Sequence, residues 1–140
     1  GYSGTRALVA MDGVLWAIQD SKLWRIAKTG TYKKFGGGYA DTRDMTALDG
    51  NLYVIDARVL WKVDKRGKYV KLGGGYTDTR AIATLAGSLW IIDGSILWKV
   101  DKKGKYTKIG SGYSDTKAMA ALDGSLWVID SGTLWRTEIK

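Results

Sequence analysis

Three copies of one short motif carry the residues of this chain best suited to recognising a ligand. They read Gly38-Tyr39-Ala40-Asp41-Thr42-Arg43, Gly75-Tyr76-Thr77-Asp78-Thr79-Arg80 and Gly112-Tyr113-Ser114-Asp115-Thr116-Lys117. An aromatic face suits the C–H surface of a sugar. A carboxylate two residues on accepts from hydroxyls, and a guanidinium or ammonium donates to ring and glycosidic oxygens. The candidate ligand-binding residues are therefore Tyr39, Asp41, Arg43, Tyr76, Asp78, Arg80, Tyr113, Asp115 and Lys117. The motif has an equally economical structural reading. Asp and Thr would hydrogen-bond to nearby backbone and hold a turn, Arg would pair with Asp across neighbouring units, and Tyr would cover the seam. A first copy, GYSGTR, has Gly4 in place of Asp, so any site or ion pair there is expected to be weaker or absent.

Other chemistry is poorly supplied. The chain has no Cys and no His, which removes thiolate chemistry, disulfides, the commonest general base and the commonest metal ligand. A catalytic site would need an Asp pair or a Ser-Lys arrangement, and each repeated Asp already has a turn to serve. No phosphate-binding G-x-x-x-x-G-K-[ST] occurs, and no D-x-[DN]-x-[DN]-G spacing that would hold calcium. The expectation is a binding or scaffold protein rather than an enzyme, with no cofactor and no metal. A net charge of +8 and a pI near 9.6 favour anionic partners. The basic turns Asp64-Lys65-Arg66-Gly67-Lys68 and Asp101-Lys102-Lys103-Gly104-Lys105 make polyanion binding a further alternative, against the plainer reading of solvated turns. Nucleic acid is not expected, because the aromatics on which bases would stack read as buried mid-strand.

The elements that would position the motif follow from a repeat. The sequence restarts every 37 residues, at Gly1, Gly38, Gly75 and Gly112, giving repeats 1–37, 38–74, 75–111 and a shorter 112–140. A fixed period of this length is the mark of units that bury their faces only against their neighbours. Each unit holds four short β-type runs, as in Met45 to Leu48, Leu52 to Ile55, Leu60 to Val63 and Tyr69 to Leu72. Asp49-Gly50 between the first two is a strong type I′ hairpin signal. The unit thus reads as a four-stranded antiparallel meander. Small residues centre its first strand (Val9-Ala10, Thr46-Ala47, Ala83-Thr84, Ala120-Ala121), its second is apolar on both faces, and its third and fourth take on Lys62, Lys71, Lys99 and Lys108. That gradient predicts an all-β β-propeller of four-stranded blades, one domain over 1–140 or half of a larger ring. The Trp at Trp24, Trp61, Trp98 and Trp135, like Trp16, Trp90, Trp127 and Tyr53, is expected to be buried packing between blades.

The stretch from Asp123 to Arg136, DGSLWVIDSGTLWR, and the stretch from Gly104 to Tyr113, GKYTKIGSGY, resemble the tectonin and tachylectin type of propeller. The resemblance runs through all four repeats. It implies a carbohydrate-binding lectin with shallow sites between blades, lined by the loops that carry the Tyr-x-Asp-Thr-Arg motif. Tyr stands where that family often has Trp.

The unbroken register also resembles a recent tandem amplification or an engineered repeat protein whose role is to fold and assemble. The fourth repeat stops before its fourth strand, which predicts 15 strands and one open edge, guarded by Arg136, Glu138 and Lys140. Its apolar outer faces should be covered either by closure of the four blades or by head-to-tail pairing of two chains in an eight-bladed homodimer, the reading the bulky Met45, Ile82 and Met119 favour. No apolar run is long enough to span a membrane, so a soluble chain is expected. It begins with Gly rather than Met, so removal of a tag or a signal peptide is expected, and the latter would make it a secreted protein.

Overall fold

The computed structural model describes residues 4–138. All regular structure in it is β: four antiparallel meanders whose strand order is the order of the sequence. The first blade holds β1 (Thr5–Met11), β2 (Val14–Gln19), β3 (Lys22–Ile26) and β4 (Tyr32–Gly37). The second holds β5 (Thr42–Leu48), β6 (Asn51–Asp56), β7 (Val59–Val63) and β8 (Tyr69–Gly74). The third holds β9 (Thr79–Leu85), β10 (Ser88–Asp93), β11 (Ile96–Val100) and β12 (Tyr106–Ser111). The fourth has three described strands, β13 (Thr116–Leu122), β14 (Ser125–Asp130) and β15 (Thr133–Glu138). The expected count of 15 strands holds among the described residues. The Arg136–Glu138 pair lies on β15, whereas Lys140 and residues 1–3 fall outside the described residues.

Turn chemistry explains the meander. In the hairpin Asp49-Gly50 both residues have positive φ, 51° and 77°, the type I′ geometry whose twist matches that of the strands. The next turn repeats the geometry with less permissive residues, Ala57 at 49° and Arg58 at 68°. The third turn is tied by a side chain. Asp64 Oδ1 accepts from the amides of Arg66 at 2.8 Å and Lys68 at 3.0 Å, and Asp101 does the same for Lys103 and Lys105.

The chain divides into two compact units, Gly1–Gly74 and Gly75–Lys140, at the boundary between the second and third repeats. In the first unit, Met11, Trp16, Ile18 and Leu23 pack with Tyr39, Met45, Leu52, Val54 and Val63 of the next blade. In the second unit, Ala83, Trp90, Ile92 and Leu97 pack with Leu126 and Val128. The second strands are the most deeply buried and the fourth strands the most exposed, as the sequence gradient predicts.

Two expectations need correction. The first strands begin earlier than the apolar runs suggest, so Thr42 and Arg43 belong to β5 rather than to the link. A bulge between Thr42 and Asp44 hides them from the alternation, because it shifts the register by one. The Trp residues also divide into two sets. Trp16, Tyr53 and Trp90 are core, as expected. The third-strand Trp24, Trp61 and Trp98 are only half-buried, since each ring stands edge-on to a fourth-strand Tyr of its own blade, with centroids 5.5, 5.4 and 5.3 Å apart. In the fourth blade Trp135 is 54% exposed, and Trp127 is half-buried.

Candidate functional site

The glycines that close β4 turn the chain over the next blade and drop the Tyr39 ring into the seam. Tyr39 is buried, and with Gly37, Gly38, Asp56, Trp61 and Tyr69 it lines a cleft of about 170 Å³. Burial raises the Tyr39 phenol above its ordinary value, and the neighbouring Tyr69 and Asp56 push it the same way. The third repeat builds the same arrangement. Tyr76 is buried near Asp93 and Tyr106, and burial, then those two groups, push its phenol up to about 12. In the fourth repeat Tyr113 is half-buried, its hydroxyl 3.4 Å from that of Thr137.

The carboxylate that organises each link is not the one in the motif. Asp56, at the end of β6, is buried and its Oδ1 accepts from the Asp41 amide at 3.0 Å and from the Thr42 hydroxyl at 2.9 Å. Asp93 and Asp130 repeat both bonds for Asp78 and Thr79 and for Asp115 and Thr116. Burial opposes the charge on Asp130, but bonds from Thr116, the Asp115 amide and Ser131 outweigh it and hold this carboxyl below its usual range. In the first repeat the position is Gln19, paired with Thr5, and the turn differs: a Cβ on Gly4 would sit 2.5 Å from Asp20 Oδ1. Gly4 is therefore required where the other repeats carry Asp.

Asp41, Asp78 and Asp115 stay at the surface. Each pairs with the cation two residues on, Arg43 at 3.6 Å, Arg80 at 3.2 Å and Lys117 at 3.0 Å, with all side chains over a third exposed. The pairing is thus between residues two apart on one segment, Asp41 just before β5 and Arg43 on it, not across blades as the structural reading of the sequence had it. The nine candidate residues separate into Tyr rings directed inward and Asp–cation pairs held outward. Of them, only Tyr39 lines the first-unit cleft, whose other walls, Trp61, Tyr69 and Asp56, the motif did not point to. Their signal was present in the sequence as recurrence at fixed repeat positions: Trp61 and Tyr69 return as Trp98 and Tyr106.

Among the described residues no group of three or more His, Cys, Asp or Glu could hold a metal. Among the same residues no helix is long and apolar enough to cross a membrane.

Backbone geometry of this kind occurs in solved structures. The computationally designed protein Ika4 superimposes with a TM-score of 0.77 at 15% identity, over 100% of this chain and 94% of that one. The fold is a β-propeller fold. A structural genomics protein of unknown function from Bacteroides thetaiotaomicron matches at a TM-score of 0.74 and 15% identity, over 96% of this chain and 47% of its own. Virginiamycin B lyase from Staphylococcus aureus matches at 0.71 and 13%, over 99% of this chain and 56% of its own. The chain thus spans nearly all of Ika4 and about half of the other two. No family model and no curated protein matches the sequence.

Proposed function

We propose that the chain is a self-assembling structural repeat module, and that its assembly is a head-to-tail homodimer in which two copies complete one eight-bladed ring. The observation that carries this reading is a contrast between equivalent positions. Ile18, Ile55 and Ile92 are fully buried, whereas Ile129 of the last blade is 43% exposed; Leu23, Leu60 and Leu97 are buried, whereas Leu134 is 61% exposed. In the first blade Leu15 is 41% exposed where Leu52, Leu89 and Leu126 are buried, and Leu8 is 59% exposed where Met45 and Ile82 are buried. Leu8 and Leu15 on one end, and Ile129 and Leu134 on the other, thus stand uncovered at positions that are core in the other blades. Contiguous apolar surface of this kind marks an interface. A face of the first blade on one copy meeting the last blade of its partner reproduces the contact already made between blades inside each unit, and a twofold axis closes it. The likeness to designed Ika4 and Ika8, at 15% and 14% identity, supports a scaffold of this type.

Light scattering tests the reading. We expect a mass of twice the 15.4 kDa of one chain, stable on dilution, and a single-chain mass for Leu134→Asp. A wild-type mass of 15.4 kDa overturns it.

A second reading is favoured by the aromatic cleft of Tyr39, Trp61 and Tyr69 beside the Asp56 carboxylate. Such a cleft suits one sugar ring, and weak repeated sites on a rigid dimer combine into avidity. A glycan screen tests it: binding lost in Trp61→Ala supports the lectin reading, and an empty screen removes it. Lyase chemistry is not proposed. A virginiamycin B lyase of this fold is catalytically inactive once a histidine is replaced by alanine, and this chain has no His.

A further inference from the structure

The cleft around Tyr39 has three aromatic walls and one charge. Tyr39, Trp61 and Tyr69 line it together with the backbone of Gly37 and Gly38, and its charged residue is Asp56. The Trp61 and Tyr69 planes stand at 89° with centroids 5.4 Å apart, so they form a right-angled corner. One cation in that corner can lie within the ~6 Å of both centroids over which a ring attracts positive charge.

The carboxylate lacks a counter-charge. Asp56 is 6% exposed, and its two hydrogen bonds come from neutral donors, the Asp41 amide and the Thr42 hydroxyl. Among the described residues no Lys or Arg pairs with it, since the ion pairs of this region belong to the exposed Asp41 and Asp12. A buried negative charge without a cation is costly, and in these less polar surroundings an incoming cation is attracted more strongly than it would be in water.

The arrangement occurs twice. In the third blade the same four repeat positions hold Tyr76, Asp93, Trp98 and Tyr106, with the Trp98 and Tyr106 planes again at 89° and 5.3 Å. Asp93 likewise accepts from an amide and a hydroxyl and pairs with no cation among the described residues. The first blade has Gln19 at the position of Asp56, so its Trp24 and Tyr32 stand without the charge.

The chemistry of the walls selects among cations. A primary ammonium is strongly hydrated and would give up water on three N–H donors, for which aromatic walls offer no acceptors. A trimethylammonium group spreads its charge over a C–H surface and has no N–H donor, so rings and a nearby carboxylate suffice. With about 170 Å³ the cleft is well under the ~300 Å³ at which pockets for drug-sized ligands begin, which suits a head group rather than a whole ligand.

We propose that this cleft, and its counterpart in the third blade, bind the trimethylammonium head of a small cationic solute of the choline kind. The head lies in the corner of Trp61 and Tyr69 with Tyr39 as the third wall, and Asp56 supplies the counter-charge. The proposal shares its cleft with the lectin reading but not its ligand, and it uses none of the uncovered residues on which the assembly reading rests. An empty glycan screen removes the lectin reading and leaves this one standing.

The probe is choline chloride, titrated into the 15N-labelled full chain at constant ionic strength while the seven indole N–H resonances are followed. Trp61→Phe and Trp98→Phe assign two of them by their loss. We expect saturable shifts of these two resonances with Kd on the order of 1 mM, and no saturable shift of the Trp24 resonance. 3,3-Dimethylbutan-1-ol, which has the shape of choline without the charge, should bind at least about tenfold more weakly. Tyr69 is 60% exposed, so Tyr69→Leu should leave the fold intact and weaken binding at Trp61 roughly tenfold while Trp98 responds as before. Asp56→Asn should weaken the same site and spare the other. Nε-trimethyl-lysine is titrated alongside: equal or weaker binding supports a free solute, and tighter binding overturns that assignment in favour of a methylated side chain. No saturable shift at Trp61 and Trp98, equal affinity for the uncharged analogue, or undiminished affinity in Tyr69→Leu overturns the proposal.

Discussion

Replacing Asp56 by alanine should cost far more stability than replacing Asp41, although only Asp41 belongs to the conspicuous motif. Asp56 Oδ1 accepts two hydrogen bonds, from the Asp41 amide at 3.0 Å and the Thr42 hydroxyl at 2.9 Å, and both Asp56 and Thr42 are more than nine-tenths buried. A hydrogen bond to a charged group contributes about 1.5–3 kcal/mol, and a buried donor left unmade carries the full cost of its desolvation. Since the two bonds share one oxygen they do not add fully, and the expected loss for Asp56→Ala is about 3 kcal/mol. Asp41→Ala removes only a surface pair with Arg43, 3.6 Å long and over half exposed on both sides, for which about 0.5 kcal/mol is the ceiling. Urea denaturation followed by tryptophan fluorescence reads the difference. With a slope of about 2 kcal/mol per molar urea, Asp56→Ala should lower the midpoint by about 1.5 M and Asp41→Ala by no more than about 0.3 M. Asp56→Asn, which keeps a carbonyl acceptor but loses the charge, should fall between them. A midpoint for Asp56→Ala within about 0.5 M of wild type, or an equal drop for Asp41→Ala, would refute this account of the link.

Alkaline pH should destabilise the third repeat. The Tyr76 phenol is raised from 10.0 to about 12, so folding favours its neutral form. That contribution is complete below pH 10 and is lost as pH rises through 12, by about 2–3 kcal/mol, and Tyr76→Phe should remove this part of the pH dependence in urea midpoints taken across that range. The Ala57-Arg58 turn holds two non-glycine residues at positive φ, so Ala57→Asn with Arg58→Gly should relieve about 1 kcal/mol and raise the thermal midpoint by about 3 °C; a lower midpoint would show that the turn is not strained.

The sequence by itself determined the architecture. A repeat of 37 residues, an Asp-Gly turn and apolar runs of four or five residues leave little but a stack of four-stranded meanders, because turn geometry and period-two burial are local properties that each unit states four times. The same local logic found the buried second strands, the exposed fourth strands and the three strands described for the last blade. Which polar residues are structural was decided only by the tertiary structure. Asp41 and Asp56 are both Asp beside a turn, but a bulge at Thr42 and the pairing of β5 with β6 bring Thr42 opposite Asp56 and leave Asp41 outside. That distinction depends on register across 14 residues of chain, which no local pattern encodes. The Trp residues divide for a similar reason: Trp61 and Trp16 have similar flanks, yet one meets a Tyr at the rim of its own blade and the other is closed over by the next blade. The unsatisfied indole N–H groups of Trp16 and Trp127 are likewise invisible in sequence, since Trp90 at the equivalent position does reach a carbonyl.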